Sequence, residues 1–292
     1  MALKSLWMLL SIFLFTISNL CVRFCEQLSV MEIVFYRSTL CLIFILYVIY
    51  RERTPVATHY PFLHFMRCFC GLTVMAGGFY LVQNLPFGTS QTLMYTNPIF
   101  FAFFIIIACV IARKKIEWSI MLSIPIGFAG IVIILRPEFT SSALFISFIG
   151  VLTGIASAGC DWYLMKLGNV REHLNRTVFY FSLAGTLAGL VWIPFDTGFA
   201  AITLKSGMAL LAIGITAVLG QITMVMAWDG GHALLNVLYQ YASILFAVIF
   251  GIVLFGEVPD LLTVVGTIIV IGTGIYASAK RLSDEKRLKS LD

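Results

Sequence analysis

The stretch Gly71–Gly88, GLTVMAGGFYLVQNLPFG, occurs twice in altered form. Moved 143 positions along the chain, it lies over Gly214–Gly231, GITAVLGQITMVMAWDGG. Gly71/Gly214, Thr73/Thr216, Gly77/Gly220, Val82/Val225 and Gly88/Gly231 then coincide, and three of the five matches are glycines. Upstream, Val34-Phe35-Tyr36-Arg37-Ser38 reappears as Val178-Phe179-Tyr180-Phe181-Ser182 at a shift of 144. A recurrence at one nearly fixed offset marks two copies of a unit, one in each half of the chain. The first copy is expected over residues 3–138 and the second over 143–280, with 281–292 a basic tail.

Composition sets the solvent. Of 292 residues, 60% are hydrophobic and 11% charged, with a mean hydropathy of +0.99. Globular chains in water carry about 25% charged residues, so this one is built for lipid. Its basic excess of +5 sits in short loops, which is a topology signal and not a nucleic-acid footprint. The seven cysteines lie mostly inside apolar runs, and Cys68 and Cys70 point to opposite sides of a helix; with four scattered histidines they fit no zinc template, and no metal or other cofactor is expected.

A helix needs about 20 apolar residues to cross a bilayer. By that rule the chain has ten segments: Leu3–Cys21, Ser29–Tyr50, Phe62–Gln83, Thr89–Ile111 and Trp118–Leu135, then Ala143–Met165, Thr177–Phe195, Gly207–Ala227, His232–Phe255 and Leu261–Ala279. An all-α membrane protein is expected, since lipid offers no partner to an open strand edge and the alternation of a β-barrel is absent. Lys4 precedes a run of full spanning length without a small-residue cleavage site, so the first segment is expected to stay as a helix. Loops after even-numbered segments, with both termini, collect Lys4, Arg51, Arg53, Arg113, Lys114, Lys115, Lys166, Arg171, Arg176, Lys280, Arg281, Lys286, Arg287 and Lys289. The opposite side has only Arg23, Arg136 and Lys205. Both termini are therefore expected in the cytoplasm, with the chain in the cytoplasmic (inner) membrane. Five segments per copy is an odd number, so the second copy must enter the bilayer upside down relative to the first. Inverted repeats with a site between them are an architecture of secondary transporters.

Few polar residues fall inside these segments. Arg37 lies about 12 Å into segment 2, and its fork suits a carboxylate or phosphate. The other reading is a fixed pair with Glu32 or Asp161. Arg67 is about a turn inside segment 3, where snorkelling to headgroups competes with a role in the interior. Asp161 is a candidate coupling carboxylate, or else a partner for Lys166. Glu257, beside Gly256 and Pro259, reads as a polar helix end. Tyr95-Thr96-Asn97-Pro98 interrupts segment 4, where Pro98 removes a backbone hydrogen bond and loosens the preceding turn. Tyr239-Gln240-Tyr241 sits at comparable depth in segment 9, and Gln221 matches Gly78 in the repeat. Arg37, Tyr95, Asn97, Gln221, Tyr239 and Gln240 are candidate solute contacts; Asp161, Arg67 and Pro98 are candidates for coupling or gating. Interhelical hydrogen bonding is the bland alternative for all of them.

Several of these segments resemble the drug/metabolite transporter superfamily, EamA type. The resemblance rests on two five-helix copies, Leu85-Pro86-Phe87-Gly88 before the proline-bearing segment 4, and Leu254-Phe255-Gly256-Glu257 closing segment 9. Phe35-Tyr36-Arg37-Ser38, Met66-Arg67-Cys68-Phe69-Cys70-Gly71 and Ile213-Gly214-Ile215-Thr216-Ala217-Val218-Leu219-Gly220-Gln221 look like a bacterial subgroup of it. One departure is Arg113-Lys114-Lys115, where a glutamate is common in the family. The resemblance implies segments 1–4 and 6–9 around a central cavity, segments 5 and 10 outside, and small organic metabolites as cargo. The expected partners are thus a small molecule and the bilayer, with a coupling proton as an option, in a monomer or homodimer. No Walker motif or soluble module is present, so ATP is not the expected energy source. An enzyme is not expected either, because HExxH, GxSxG and paired aspartates are missing; a passive channel or facilitator is the nearer rival.

Overall fold

The computed structural model describes residues 2–94, 96–111, 125–127, 129–130, 132–133, 141–196, 198–229, 236, 239–240 and 242–289. The helices are α1 (Ala2–Val22), α2 (Val30–Glu52), α3 (Pro61–Asn84), α4 (Phe87–Met94), α5 (Asn97–Ile111), α6 (Ser141–Asn169), α7 (Leu174–Trp192), α8 (Leu204–Trp228), α9 (Ala242–Phe255) and α10 (Leu261–Lys289). Among the described residues, six helices are long and apolar enough to cross a membrane: α1, α2, α3, α6, α7 and α8. Most of segment 5 and the start of segment 9 lie outside the described residues. Segment 4 is divided into α4 and α5 just before Pro98, where the sequence predicts a loosened turn. α10 runs on to Lys289, so the stretch read as a tail is helical over 281–289.

Helix ends follow local chemistry. Ser29 caps α2 by accepting from the Glu32 N–H, while the Glu32 carboxylate accepts from the Ser29 N–H. Thr203 and Ser206 close the same reciprocal box on α8. Pro61 opens α3, where its missing N–H costs nothing. α2 stops at Arg53, which adopts the left-handed conformation with φ 52°.

The protein is inside-out by the standards of a water-soluble chain. Phe62, Phe65, Phe69 and Ile215 are exposed, whereas Ser11, Thr16, Asn97 and Thr153 are buried. Lipid does not penalise apolar side chains, but it gives hydroxyls and amides no partner, so these turn inward. α1 packs on α8 and α3 on α6; α2 packs on α7. Further contacts join α2 to α8, α3 to α7, α1 to α9, α5 to α6 and α4 to α9. Small residues permit the closest of these. A Cβ on Gly77 of α3 would collide with the Thr153 hydroxyl of α6. One on Gly214 of α8 would come within 2.9 Å of Leu40 Cβ on α2.

Candidate functional site

The inner faces of α1, α2, α3, α6, α7 and α8, with Met94 and Gln240, line a cavity of about 110 Å³. The charged residues lining it, among those described, are Arg37, Arg67 and Asp161.

Asp161 is 1% exposed, and its Oδ2 accepts from the Asn97 side-chain amide at 2.5 Å and the Gln240 amide at 2.9 Å. The Asn97 amide also donates to Gln240 Oε1 at 2.6 Å. Three helical stretches thus meet in one closed triangle: α5 through Asn97, residues 239–240 through Gln240, and α6 through Asp161. Asn97 and Gln240 are 143 positions apart, the offset at which the chain repeats itself. The expected pairing of Asp161 with Lys166 does not form. Lys166 lies over the rings of Trp162 and Tyr163 instead, at 5.5 and 5.7 Å, because its long stem reaches outward while Asp161 faces the interior.

Arg67 does not snorkel. It is 1% exposed, with its guanidinium carbon 3.8 Å from the centroid of the Phe181 ring on α7. The ring face attracts the cation, and Gly71, one turn further along α3, leaves room for both. Arg67 Nε and Nη1 meet no acceptor among the described residues. Arg37 is 7% exposed, lies 5.8 Å from the Phe15 ring and donates to the Met75 sulfur. Neither anticipated acidic partner is paired with it. Glu32 is engaged by Ser29 and by the Ala200 N–H at 2.7 Å, and Asp161 by the two amides. A thioether is a weak acceptor, so both guanidinium groups hold most of their donor capacity in reserve.

Gln221 lines the cavity at 3% exposure, with its amide nitrogen unpartnered among the described residues. Tyr239 falls elsewhere. It packs into the apolar cluster of Leu164, Val225 and Trp228, because neighbouring positions on a helix face about 100° apart and Gln240 takes the cavity side. Tyr95 and the side chain of Pro98 lie outside the described residues, although Pro98 itself falls in the first turn of α5. Sequence reading missed the aromatic and sulfur lining: Phe15, Phe181 and Met75. Phe181 carried a signal, since it stands where the repeat places the counterpart of Arg37.

At the end of the bundle where α1 meets α2, Arg23 pairs with Glu257 at 2.8 Å and also donates to the Leu85 carbonyl. Glu257 Oε2 accepts from the Phe87 N–H at 2.5 Å. Glu257 is therefore more than a polar helix end. It binds the turn after α9 to the loops that follow α1 and α3.

Residues 3–136 match the EamA-like transporter family. Relatives along nearly the whole chain include the pseudopaline exporter of Pseudomonas aeruginosa, 25% identical over 265 residues, which are 90% of this chain and 91% of that protein. The S-adenosylmethionine uptake transporter of Rickettsia prowazekii is 25% identical over 288 residues, 96% of this chain and 94% of that one. A solved crystal structure matches with a TM-score of 0.69 at 14% identity, covering 96% of this chain and 98% of its own, and so shares the fold. Lipid-facing helices, a polar interior and these relationships lead to one statement of kind: the chain is a multi-pass membrane protein whose first half is similar to the EamA-like transporter family.

Proposed function

We propose that the protein is a secondary transporter that carries a small organic metabolite across the cytoplasmic membrane by alternating access, with ten spans in two inverted five-helix repeats and both termini in the cytoplasm. The observation that carries the reading is the hydrogen bond between Asn97 and Gln240. Two side chains 143 positions apart touch each other, and one of them, Gln240, lines the cavity. Residues related by a two-fold axis can meet only on that axis, which is where inverted-repeat transporters bind their cargo. The helix pairs support the same symmetry. Exchanging the halves turns α1 on α8 into α6 on α3, and α2 on α8 into α7 on α3, while α2 on α7 maps to itself.

Arg37, Gln221 and Gln240 contact the solute in this reading, with Asn97 holding Gln240 in place. Asp161 and Arg67 couple or gate, and Pro98 permits the bend of segment 4. Named relatives export pseudopaline or take up S-adenosylmethionine, so both directions of flux belong in the assay. Purified protein in liposomes tests the proposal. Arg37→Ala is expected to lower flux of an identified anionic solute about tenfold or more, and Arg37→Lys less. Flux that is unchanged in Arg37→Ala, or that never saturates with solute, removes the anion contact or replaces the transporter with a passive channel.

A further inference from the structure

The charges in the cavity specify the cargo more narrowly than "metabolite". Two guanidinium groups face one carboxylate, which leaves a surplus of one positive charge in a membrane interior. Neither arginine forms an ion pair among the described residues, and Nε and Nη1 of Arg67 meet no acceptor there. A cation at such depth is costly unless something neutralises it. Aromatic faces under Arg67 and near Arg37 hold the two forks but accept no hydrogen bonds. Asp161 is pinned through Oδ2 alone, and its Oδ1 takes no hydrogen bond among the described residues.

Resting on the cavity being the transport site, we propose that its solute carries two acid groups and one ammonium group. The acid groups sit on Arg37 and Arg67 and the ammonium on Asp161. A cargo of that kind has net charge −1 and brings the loaded site to neutrality. Each acid group meets a fork that can bind it through two N–H donors, and the ammonium meets a carboxylate oxygen already oriented by Asn97 and Gln240. Neutral solutes leave the surplus charge in place. Diamines triple it and have one carboxylate for two cations. A plain diacid satisfies both arginines but puts an extra negative charge beside Asp161. The expected order of binding is therefore amino diacid, then diacid, then neutral solute and diamine.

The test uses the purified full-length protein in detergent, with binding read by thermal shift and by isothermal titration at neutral pH. The probes are L-glutamate and iminodiacetate as amino diacids, glutarate as a diacid, putrescine as a diamine and glucose as a neutral solute. Arg67→Ala and Arg37→Ala are each expected to weaken amino diacid binding roughly tenfold or more, the span of a charge-assisted hydrogen bond. Arg67→Lys keeps the charge without the fork and is expected to fall between, which keeps the test valid if the alanine variant does not fold. Asp161→Asn is expected to abolish the preference for L-glutamate over glutarate while glutarate still binds. Amino diacids that bind no better than glucose, or arginine variants that bind them like the parent protein, overturn the proposal. Accessibility of Gln221→Cys from each face of the membrane is measured in parallel. Alternating access without amino diacid binding refutes the cargo class and leaves the transporter standing; access from one face alone refutes the transporter.

Discussion

Gly71 offers a way to disturb the cavity without replacing any of its polar side chains. It lies one turn beyond Arg67 on α3, and a Cβ there would overlap Arg67 Nη1 and sit 2.7 Å from Phe181 Cε2. Ordinary carbon contacts are about 3.5–4.0 Å, so the ring must retreat by most of an ångström or the guanidinium must leave its face. The guanidinium can swing on its long stem, but Phe181 is buried at 6% exposure. Overpacking of this kind costs about 1–3 kcal/mol. Against it stands the intrinsic gain of alanine over glycine in a helix, up to about 1 kcal/mol. The net expectation for Gly71→Ala is a loss of about 1–2 kcal/mol, which lowers the unfolding midpoint by roughly 2–4 °C per kcal/mol. Two other positions calibrate the scale. At Gly220 a Cβ would meet Phe15 at 3.0 Å, which a small shift relieves. At Gly207 the nearest atom is Ile202 Cγ2 at 3.4 Å, an ordinary contact. Thermal unfolding in detergent and solute uptake in liposomes should therefore rank Gly71→Ala worst, Gly220→Ala intermediate and Gly207→Ala near the parent. If Gly71→Ala matches Gly207→Ala in both assays, the Arg67–Phe181 stack is not part of the working site.

Other predictions follow from single contacts. Asn97→Ala and Gln240→Ala remove bonded partners, so a double-mutant cycle on stability should give a coupling energy of about 0.5–3 kcal/mol, and a value near zero denies their contact. Asn97→Asp sets a second carboxylate beside Asp161, and uptake should fall further than in Asn97→Ala; equal uptake contradicts the triangle. Glu257→Ala leaves Arg23 with the Leu85 carbonyl alone and the Phe87 N–H without its acceptor, and should cost about 1–3 kcal/mol, with Glu257→Gln milder. Burial, and then the nearby Cys21, push the Cys25 thiol up to about 11, so it stays protonated at neutral pH. Maleimide should modify Cys25 in native protein slowly at pH 7, faster as pH climbs toward 11, and readily once the protein is denatured; rapid labelling at pH 7 contradicts its burial.

Much of the fold was legible because lipid simplifies the code. Apolar run length sets a spanning helix, and the bounds of α2 and α3 match those of the runs to within two residues. Pro98 marked the break between α4 and α5 for a local reason, the loss of one backbone hydrogen bond. The site was legible in kind and less so in detail. Depth along a helix placed Arg37, Asn97, Gln221 and Gln240 near the middle, but depth does not say which way a side chain turns. Arg67 reads as a snorkelling residue because it is near a helix end. It turns inward because Gly71 and Phe181 make a slot for it, and those two lie on different helices of different halves. Asp161 reads as one acid near a helix terminus for a similar reason. Its partners are 64 and 79 residues away, and no local pattern announces them. The repeat offset did contain part of this, since adding 143 to Asn97 gives Gln240.

Alternating exposure of the cavity to the two sides of the membrane is what separates a transporter from a static bundle. In a variant lacking native cysteines, Gln221→Cys can be probed with a membrane-impermeant maleimide in right-side-out and in inside-out vesicles. Labelling is expected in both preparations, with solute protecting the thiol in each. Labelling in only one preparation, whatever solute is supplied, would contradict alternating exposure.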